Sequence, residues 1–245
     1  MELTLFQTIN YFLLFTLGVL FIRYLYILYS DRSVNPAQWQ YRIKNNEIPV
    51  RLKQLERKYP DKVRFFTWWL QIERLKQDKV PGVFAELGVY QGESAEIIHQ
   101  MDPNRDFHLF DSFTGFYACD LKFETGEAAS YTMNHFADTS IQAVVDRIGG
   151  KHHIKVNAGY FPQSACAFNE PVALVNIDVD LYIPTRAGLE FFYPRLSPGG
   201  IILIHDYNYK WPGVIRAVDE FIRSIPEMPV FIPDKHGTVM IIRNN

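Results

Sequence analysis

The chain has 245 residues, 48% of them hydrophobic and 15% aromatic, with a formal net charge of −2. That length holds one well-buried α/β domain plus extra segments and is short for two ordinary domains. The near-neutral charge lacks the basic footprint of nucleic-acid binding, and the two cysteines, Cys119 and Cys166, have no metal-ligand spacing and suit a reducing compartment.

The first element is apolar. Leu3 to Ile22 runs for twenty residues without a charge, and Arg23 and the tyrosines of "YLYILY" follow it. A helix of this length spans a bilayer core, and Tyr and Arg favour its interface. Two readings stand: a membrane anchor through residues 3–29, or an amphipathic or oligomer-forming helix, because Thr4, Gln7, Thr8, Asn10 and Thr16 interrupt the hydropathy. A cleaved signal peptide fits poorly, since Met1 and Glu2 make no basic start and no small-residue cleavage site follows. Arg23, Arg32, Arg42 and Lys44 all lie after the apolar run, so an anchor would leave the rest of the chain facing the cytoplasm, and without an anchor the protein would be soluble there.

Residues 31–62, broken by Pro36, Pro49 and Pro60, read as a tether with a short helix around Val50–Tyr59. Phe65, Phe66, Trp69, Leu70 and Ile72 fall near one helical face, so residues 61–79 predict a helix packed on the following domain. The expected divisions are an apolar helix over 1–30, a linker with packing helices over 31–80, and the main domain over 81–245.

From residue 81 the pattern alternates. Apolar runs predict strands at "GVFAEL", "FHLF", "HHIKVNAG", "VALVNID" and "IILIH". Helices are expected at Glu93–Met101, across "SIQAVVDRIG", over Thr185–Leu196 stopping at "SPGG", and across "GVIRAVDEFIRS". The end, "PVFIP-DKHG-TVMIIR", reads as a hairpin, and residues 112–138 form a long aromatic loop suited to a lid. Five interleaved strands closed by a hairpin imply a doubly wound α/β sheet, mainly parallel, with one antiparallel element. Ligands bind such sheets beyond the carboxyl ends of the strands, where Glu86, Asp111, Asp178 and the His205–Asp206 pair all fall.

Three constellations carry chemistry. In "FAELGVYQGESAE" a strand ends at Glu86, Gly88 and Gly92 bracket a tight loop, and a helix begins. The spacing lacks the G-x-G-x-x-G of a pyrophosphate site and suits a cationic, phosphate-free nucleoside such as S-adenosylmethionine, although glycines after strands are common for purely structural reasons. Asp111 lies 25 residues beyond Glu86, about where a carboxylate with two free oxygens reaches a ribose diol. In "NIDVDLYIPT", Asp178 and Asp180 fall on one side of the chain and would repel each other unless a cation or proton intervenes. Asp180 could instead cap the next helix. His205 could bind a metal, accept a substrate proton or orient its neighbouring carboxylate. His135 is a weaker alternative base, His152 and His153 read as solvated, Trp68 and Trp69 as core, and Lys210 and Trp211 as substrate-contacting or surface residues.

The segments "AELGVYQGESA", "HLFDSFTGF", "NAGYF", "NIDVDLYIPTRAGLEFFYPRLSPGGIILIHDYN" and "WPGVIRAVDEF" resemble, in order and spacing, the macrocin-type (TylF-like) O-methyltransferases, from about Gly82 to Arg223. The resemblance implies a seven-stranded class I (Rossmann-like) methyltransferase sheet and transfer of a methyl group from S-adenosylmethionine to a sugar hydroxyl with help from Mg²⁺. It implies that Glu86 and Gly88 sit at the methionine end of the cofactor, with Gly92 nearby, and Asp111 at the ribose, with Ser112 beside it. Asp178 would be metal ligand and general base and Asp206 a second ligand, with His205 a candidate for both duties. The family usually has Asp-Asp where this chain has His205–Asp206, so an imidazole replaces a carboxylate; Mg²⁺ prefers oxygen, whereas Mn²⁺, Fe²⁺ and Zn²⁺ accept nitrogen. Pro184 also replaces the usual Ser, at a helix start where proline is tolerated. The expected partners are a small-molecule or glycan hydroxyl and the membrane, with a homodimer left open. Two rivals are a NAD(P)-dependent sugar oxidoreductase, which the missing third glycine opposes, and a membrane-anchored nucleoside-binding protein without turnover.

Overall fold

The computed structural model describes residues 4–30, 35–149 and 152–244. Part of the expected tether, with Arg32, lies outside the described residues, as do residues 1–3. The chain divides into two compact units, residues 1–48 and 49–245.

The first unit holds α1 (Leu5–Ser30) and α2 (Ala37–Lys44). Leu5–Leu28 of α1 is long and apolar enough to cross a membrane, and its apolar side chains are exposed. Four of its five interrupting polar residues satisfy one another or the helix itself. Thr4 and Gln7 form a reciprocal cap, with Gln7 N donating to Thr4 Oγ1 and Thr4 N to Gln7 Oε1. The hydroxyls of Thr8 and Thr16 donate to the carbonyls of Thr4 and Phe12, four residues back. Helix α2 falls where a tether was expected; its polar sequence, AQWQYRIK, carries no side-chain cap and little apolar periodicity to betray it.

The second unit opens with α3 (Val50–Lys58) and α4 (Lys62–Gln77), both packed on α5 (Glu93–Met101). Asp61 caps α4, its Oδ1 accepting from Arg64 N at 3.0 Å. Among the described residues the seven strands are β1 (Val83–Leu87), β2 (Phe107–Asp111), β3 (Ile154–Ala158), β4 (Val172–Ile177), β5 (Leu196–Ile204), β6 (Val230–Ile232) and β7 (Thr238–Ile242). Their order is β3-β2-β1-β4-β5-β7-β6; β1 to β5 pair in parallel, and β7 runs antiparallel to both neighbours. Helices α7 (Ile141–Ile148), α8 (Tyr182–Phe192) and α9 (Pro212–Ile222) complete the doubly wound arrangement.

Register sets the position of the site. Leu87 pairs with Phe110 on one side and Ile177 on the other, and Ile177 pairs with Ile204. The next residues along each strand, Gly88, Asp111, Asp178 and His205, therefore emerge at one level, beside the β1/β4 switch where strand order reverses.

Helix α8 ends at Phe192, a 3-10 turn covers Tyr193–Arg195, and β5 begins at Leu196, so the expected helix starts three residues early and stops four short. The "SPGG" segment belongs to the strand. Val172 pairs with Leu196 and Leu174 with Ile201, leaving residues 197–200 as a bulge that Arg74 fastens through Gly199 O at 2.8 Å. The 112–138 loop carries a single helical turn, α6 (Ala118–Leu121), and a 3-10 turn at Gly126–Ser130.

Candidate active site

A cavity of about 610 Å³ opens at the switch point, and both halves of the sheet line it. On one side lie the β1 loop, the start of α5 and Asp111. On the other lie Asp178, Asp180, His205, Asp206, Trp211 and His236, with Phe116, Tyr131 and Phe136 of the long loop above.

The β1 loop owes its shape to Gly88 and Asp111. Gly88 has φ +87, and a Cβ there would overlap the backbone oxygen of Asp178, so only glycine brings the two loops this close. Asp111 Oδ2 accepts from Val89 N at 2.7 Å and Tyr90 N at 2.9 Å, and its Oδ1 accepts from Phe113 N at 2.7 Å. The carboxylate thus lacks the two free oxygens expected of it, and keeps lone-pair capacity chiefly at Oδ1. Ser112 Oγ donates to Gly115 O at 2.6 Å and accepts from Thr114 N, which shapes the start of the lid.

Glu86 and Gly92 do not line the cavity. Alternation along β1 sends Val83, Ala85 and Leu87 into one core face and Glu86 to the other. There Asn176 Nδ2 donates to Glu86 Oε1 at 2.7 Å, while Trp68 Nε1 donates to Asn176 Oδ1 at 3.3 Å. Burial pushes the Glu86 carboxyl up to about 8. Gly92 is the N-cap of α5 and packs toward Val144.

The second half is a charged cluster. His205 Nδ1 lies 3.1 Å from Asp178 Oδ1 and 3.0 Å from Asp206 Oδ2. Arg64, almost wholly buried, donates from Nη2 to Asp178 Oδ2 at 2.8 Å, and its guanidinium stands 4.7 Å over the Trp68 ring. Burial pushes Asp178 up, but His205 and Arg64 outweigh it and hold the carboxyl below the usual range. Burial lowers His205, and Asp178 reverses that, raising it to about 9. Burial and neighbouring Asp206 push Asp180 well up. Ligand atoms of Asp178, Asp180 and Asp206 all lie within 4.8 Å of one another, and those of His205, Asp206 and His236 form a second such group. Asp206 Oδ1 is buried without a hydrogen-bond partner. Asp180 and Asp206 both adopt φ +60, a strained conformation that aspartate tolerates better than most residues.

Asp180 is not the cap of α8. Leu181 holds that position, and Tyr182 N is met by Glu124 Oε1 of the lid at 2.7 Å. His135 does not line the cavity; its Nδ1 accepts from Thr132 N at 2.9 Å. His152 is exposed, and His153 pairs with Asp106 at 2.8 Å. Arg64 and His236 escape the sequence reading. Arg64 left one signal, a charge among the core-facing residues of α4. His236 left none, because only the hairpin's return along β5 brings it beside Asp206.

The model of the macrocin-O-methyltransferase (TylF) family matches residues 62–237. The chain belongs to this family. Among its relatives, the Streptomyces olivaceus 8-demethyl-8-(2,3-dimethoxy-alpha-L-rhamnosyl)-tetracenomycin-C 4'-O-methyltransferase is 29% identical over 148 residues, 56% of this chain and 57% of the relative. The Micromonospora griseorubida mycinamicin III 3''-O-methyltransferase is 31% identical over 165 residues, 61% of this chain and 64% of the relative. The chain thus spans about three fifths of the length of these curated relatives. The solved O-methyltransferase NovP superposes with a TM-score of 0.62 at 25% identity, covering 75% of this chain and 81% of its own. TylF membership gives the nicotinamide reading and the turnover-free reading no support.

Proposed function

We propose that this protein transfers a methyl group from S-adenosylmethionine to a sugar hydroxyl, assisted by a divalent cation. The observation that carries the reading is one cavity uniting a β1–α5 nucleoside loop with a carboxylate cluster. Both similar curated enzymes methylate sugar-bearing natural products by their names, which supports the acceptor class.

The residues fit a cation: Asp206 Oδ1 is buried and lacks a donor, and Asp180 favours a proton or a cation over its bare charge. Asp178 and Asp206 would hold it, and when bound it lowers the pKa of the acceptor hydroxyl and fixes its oxygen. S-adenosylmethionine supplies an already electrophilic methyl carbon. The chain must then align the oxygen and receive its proton. Asp178 suits proton transfer poorly, because Arg64 and His205 engage both of its oxygens. Until a cation displaces it, His205 keeps its proton at neutral pH, because Asp178 raises it to about 9. Asp180 lines the cavity beside Asp206, and with a cation held there keeping its carboxylate ionised it would receive the proton. Ser94, at the start of α5, and the backbone held by Asp111 bind the cofactor's polar end. Phe116, Tyr131 and Phe136 cover the acceptor and exclude water.

We further propose that α1 anchors the protein in a membrane. Its apolar length matches a bilayer, and the local satisfaction of Thr4, Gln7, Thr8 and Thr16 removes most of the cost of their burial in lipid.

The test is incubation of the protein with methyl-labelled S-adenosylmethionine and glycan extracts, with and without chelator. Transfer that chelator stops is expected, and Asp180→Asn should abolish it while calorimetry still shows S-adenosylhomocysteine binding. Absence of that binding in the unmodified protein would sink the reading.

A further inference from the structure

The loop at residues 234–237 joins β6 to β7 at the surface, yet it is pinned from several sides. Lys235 N donates to Asp61 Oδ2 at 2.7 Å, Tyr207 N donates to Gly237 O at 2.9 Å, and Asn208 Nδ2 donates to His236 O. Gly237, at φ +75, lies so close to Tyr207 O that a Cβ would stand 2.6 Å from it. The result is a fixed imidazole: His236 stacks on His205 with centroids 5.5 Å apart and planes 21° apart, and the Trp211 ring lies 5.8 Å away.

This fixed ring faces an unmet oxygen. His236 Nδ1 stands 3.4 Å from Asp206 Oδ1, and the pair does not make a hydrogen bond. The Asp206 side chain is 5% exposed, so its orphan oxygen is cut off from bulk water. Two donors on one ion with bonds of about 2.1 Å stand about 3.0 Å apart along an octahedral edge and about 3.4 Å along a tetrahedral one. His236 Nδ1 stands at the tetrahedral separation from Asp206 Oδ1, and His205, Asp206 and His236 each offer a ligand atom within 4.8 Å of the others; His205 Nδ1 hydrogen-bonds Asp206 Oδ2 at 3.0 Å and gives up that proton on ligating. Arg64 meanwhile engages Asp178 Oδ2, removing one oxygen from any all-oxygen cage.

We propose that the cation centre of this chain is a mixed nitrogen–oxygen site in which His205 and His236 join Asp206 and Asp178, and that it selects a first-row transition ion over Mg²⁺. The inference rests on the metal-assisted reading above. Mg²⁺ binds hard oxygen donors and gains little from imidazole, whereas Mn²⁺, Fe²⁺, Co²⁺ and Zn²⁺ take nitrogen readily. The sequence departure at His205 thus has a partner contributed by a different element, and the substitution reads as a change of metal.

The experiment uses the full chain in detergent, stripped with chelator and reloaded with Mn²⁺ or Co²⁺. Pulsed electron paramagnetic resonance of the Mn²⁺ form should show coupling to imidazole nitrogen, and the Co²⁺ form should give two strongly shifted exchangeable imidazole N–H proton resonances. His236→Gln, at a half-exposed loop position whose backbone carbonyl keeps its bond from Asn208, should remove one of these resonances and weaken Mn²⁺ about tenfold. His205→Asp should let Mg²⁺ displace Mn²⁺ at about tenfold lower concentration than in the unmodified chain. Mn²⁺ bound without nitrogen coupling, no binding of any ion, or displacement by Mg²⁺ that neither substitution changes would overturn the proposal. Calorimetry with S-adenosylhomocysteine on the same sample separates this failure from failure of the methyltransferase reading.

Discussion

Glu86 shows how far one residue's chemistry depends on the face it occupies. It stands one residue before the end of β1, near where a ligand-binding acid would, but alternation turns it beneath the cavity onto Asn176, which Trp68 also bonds. Its carboxyl rises from the ordinary 4.5 to about 8 through burial. The fold therefore keeps a proton that the unfolded chain releases, and stability falls as pH rises through that window. Glu86→Gln retains the bond from Asn176 and removes the titration. Thermal or urea unfolding should show the variant gaining at least about 1 kcal/mol on the unmodified chain between pH 5 and pH 8. Parallel profiles would show that Glu86 does not titrate in the fold. Asp111, Asp178 and Asp206 were legible as strand-end acids because a single chain segment supplies both the strand and the acid. What each oxygen does was not legible, since Arg64, His205 and the Val89–Tyr90 amides reach them from elsewhere in the fold.

Among the elements, the 112–138 lid was legible by length and aromatic content, but its fastening was not. Glu124 Oε1 takes the first free N–H of α8 at Tyr182, and the same carboxylate presses on Gly213 in the first turn of α9. Glu127 N donates to Lys210 O at 2.7 Å, and Trp211 Nε1 to Tyr131 OH at 3.1 Å. A carboxylate at helix N-termini is well placed electrostatically, so Glu124 is the principal latch. Glu124→Ala should speed tryptic cleavage after the exposed Lys122 by about tenfold, and raise the acceptor KM more than it lowers kcat. An unchanged cleavage rate would assign the lid's order to the Trp211 and Lys210 contacts instead. The same limit explains β5. Proline and two glycines in "SPGG" signal a break, and only the pairing of Val172 with Leu196 shows that the strand resumes across it.

At the scale of the whole molecule, parallel pairing follows from the alternation of apolar runs and helical faces, which is why the doubly wound sheet could be read before any contact was known, whereas the strand order comes from the pairing itself. The apolar helix was equally plain, and the anchoring proposed for it makes a direct prediction. Removing residues 1–30 should move the protein from the detergent-extracted membrane fraction to the soluble fraction, with S-adenosylhomocysteine affinity within about twofold of the full chain. A full-length protein already in the soluble fraction would refute the anchor.

Asp61 has a further consequence for how the molecule is made. One of its oxygens caps α4, and the other holds Lys235, 174 positions later in the chain. The final hairpin therefore closes a loop that encloses every other strand. On a ribosome the chain emerges from its N-terminal end, so β1 to β5 precede the hairpin. Until that hairpin is released, α4 has an unshared cap, Asp206 has no His236 beside it, and closure of so long a loop remains outstanding. The carboxylate–imidazole cluster is then completed only after all five parallel strands have been made, and the nascent chain holds a started sheet before His236 can reach Asp206.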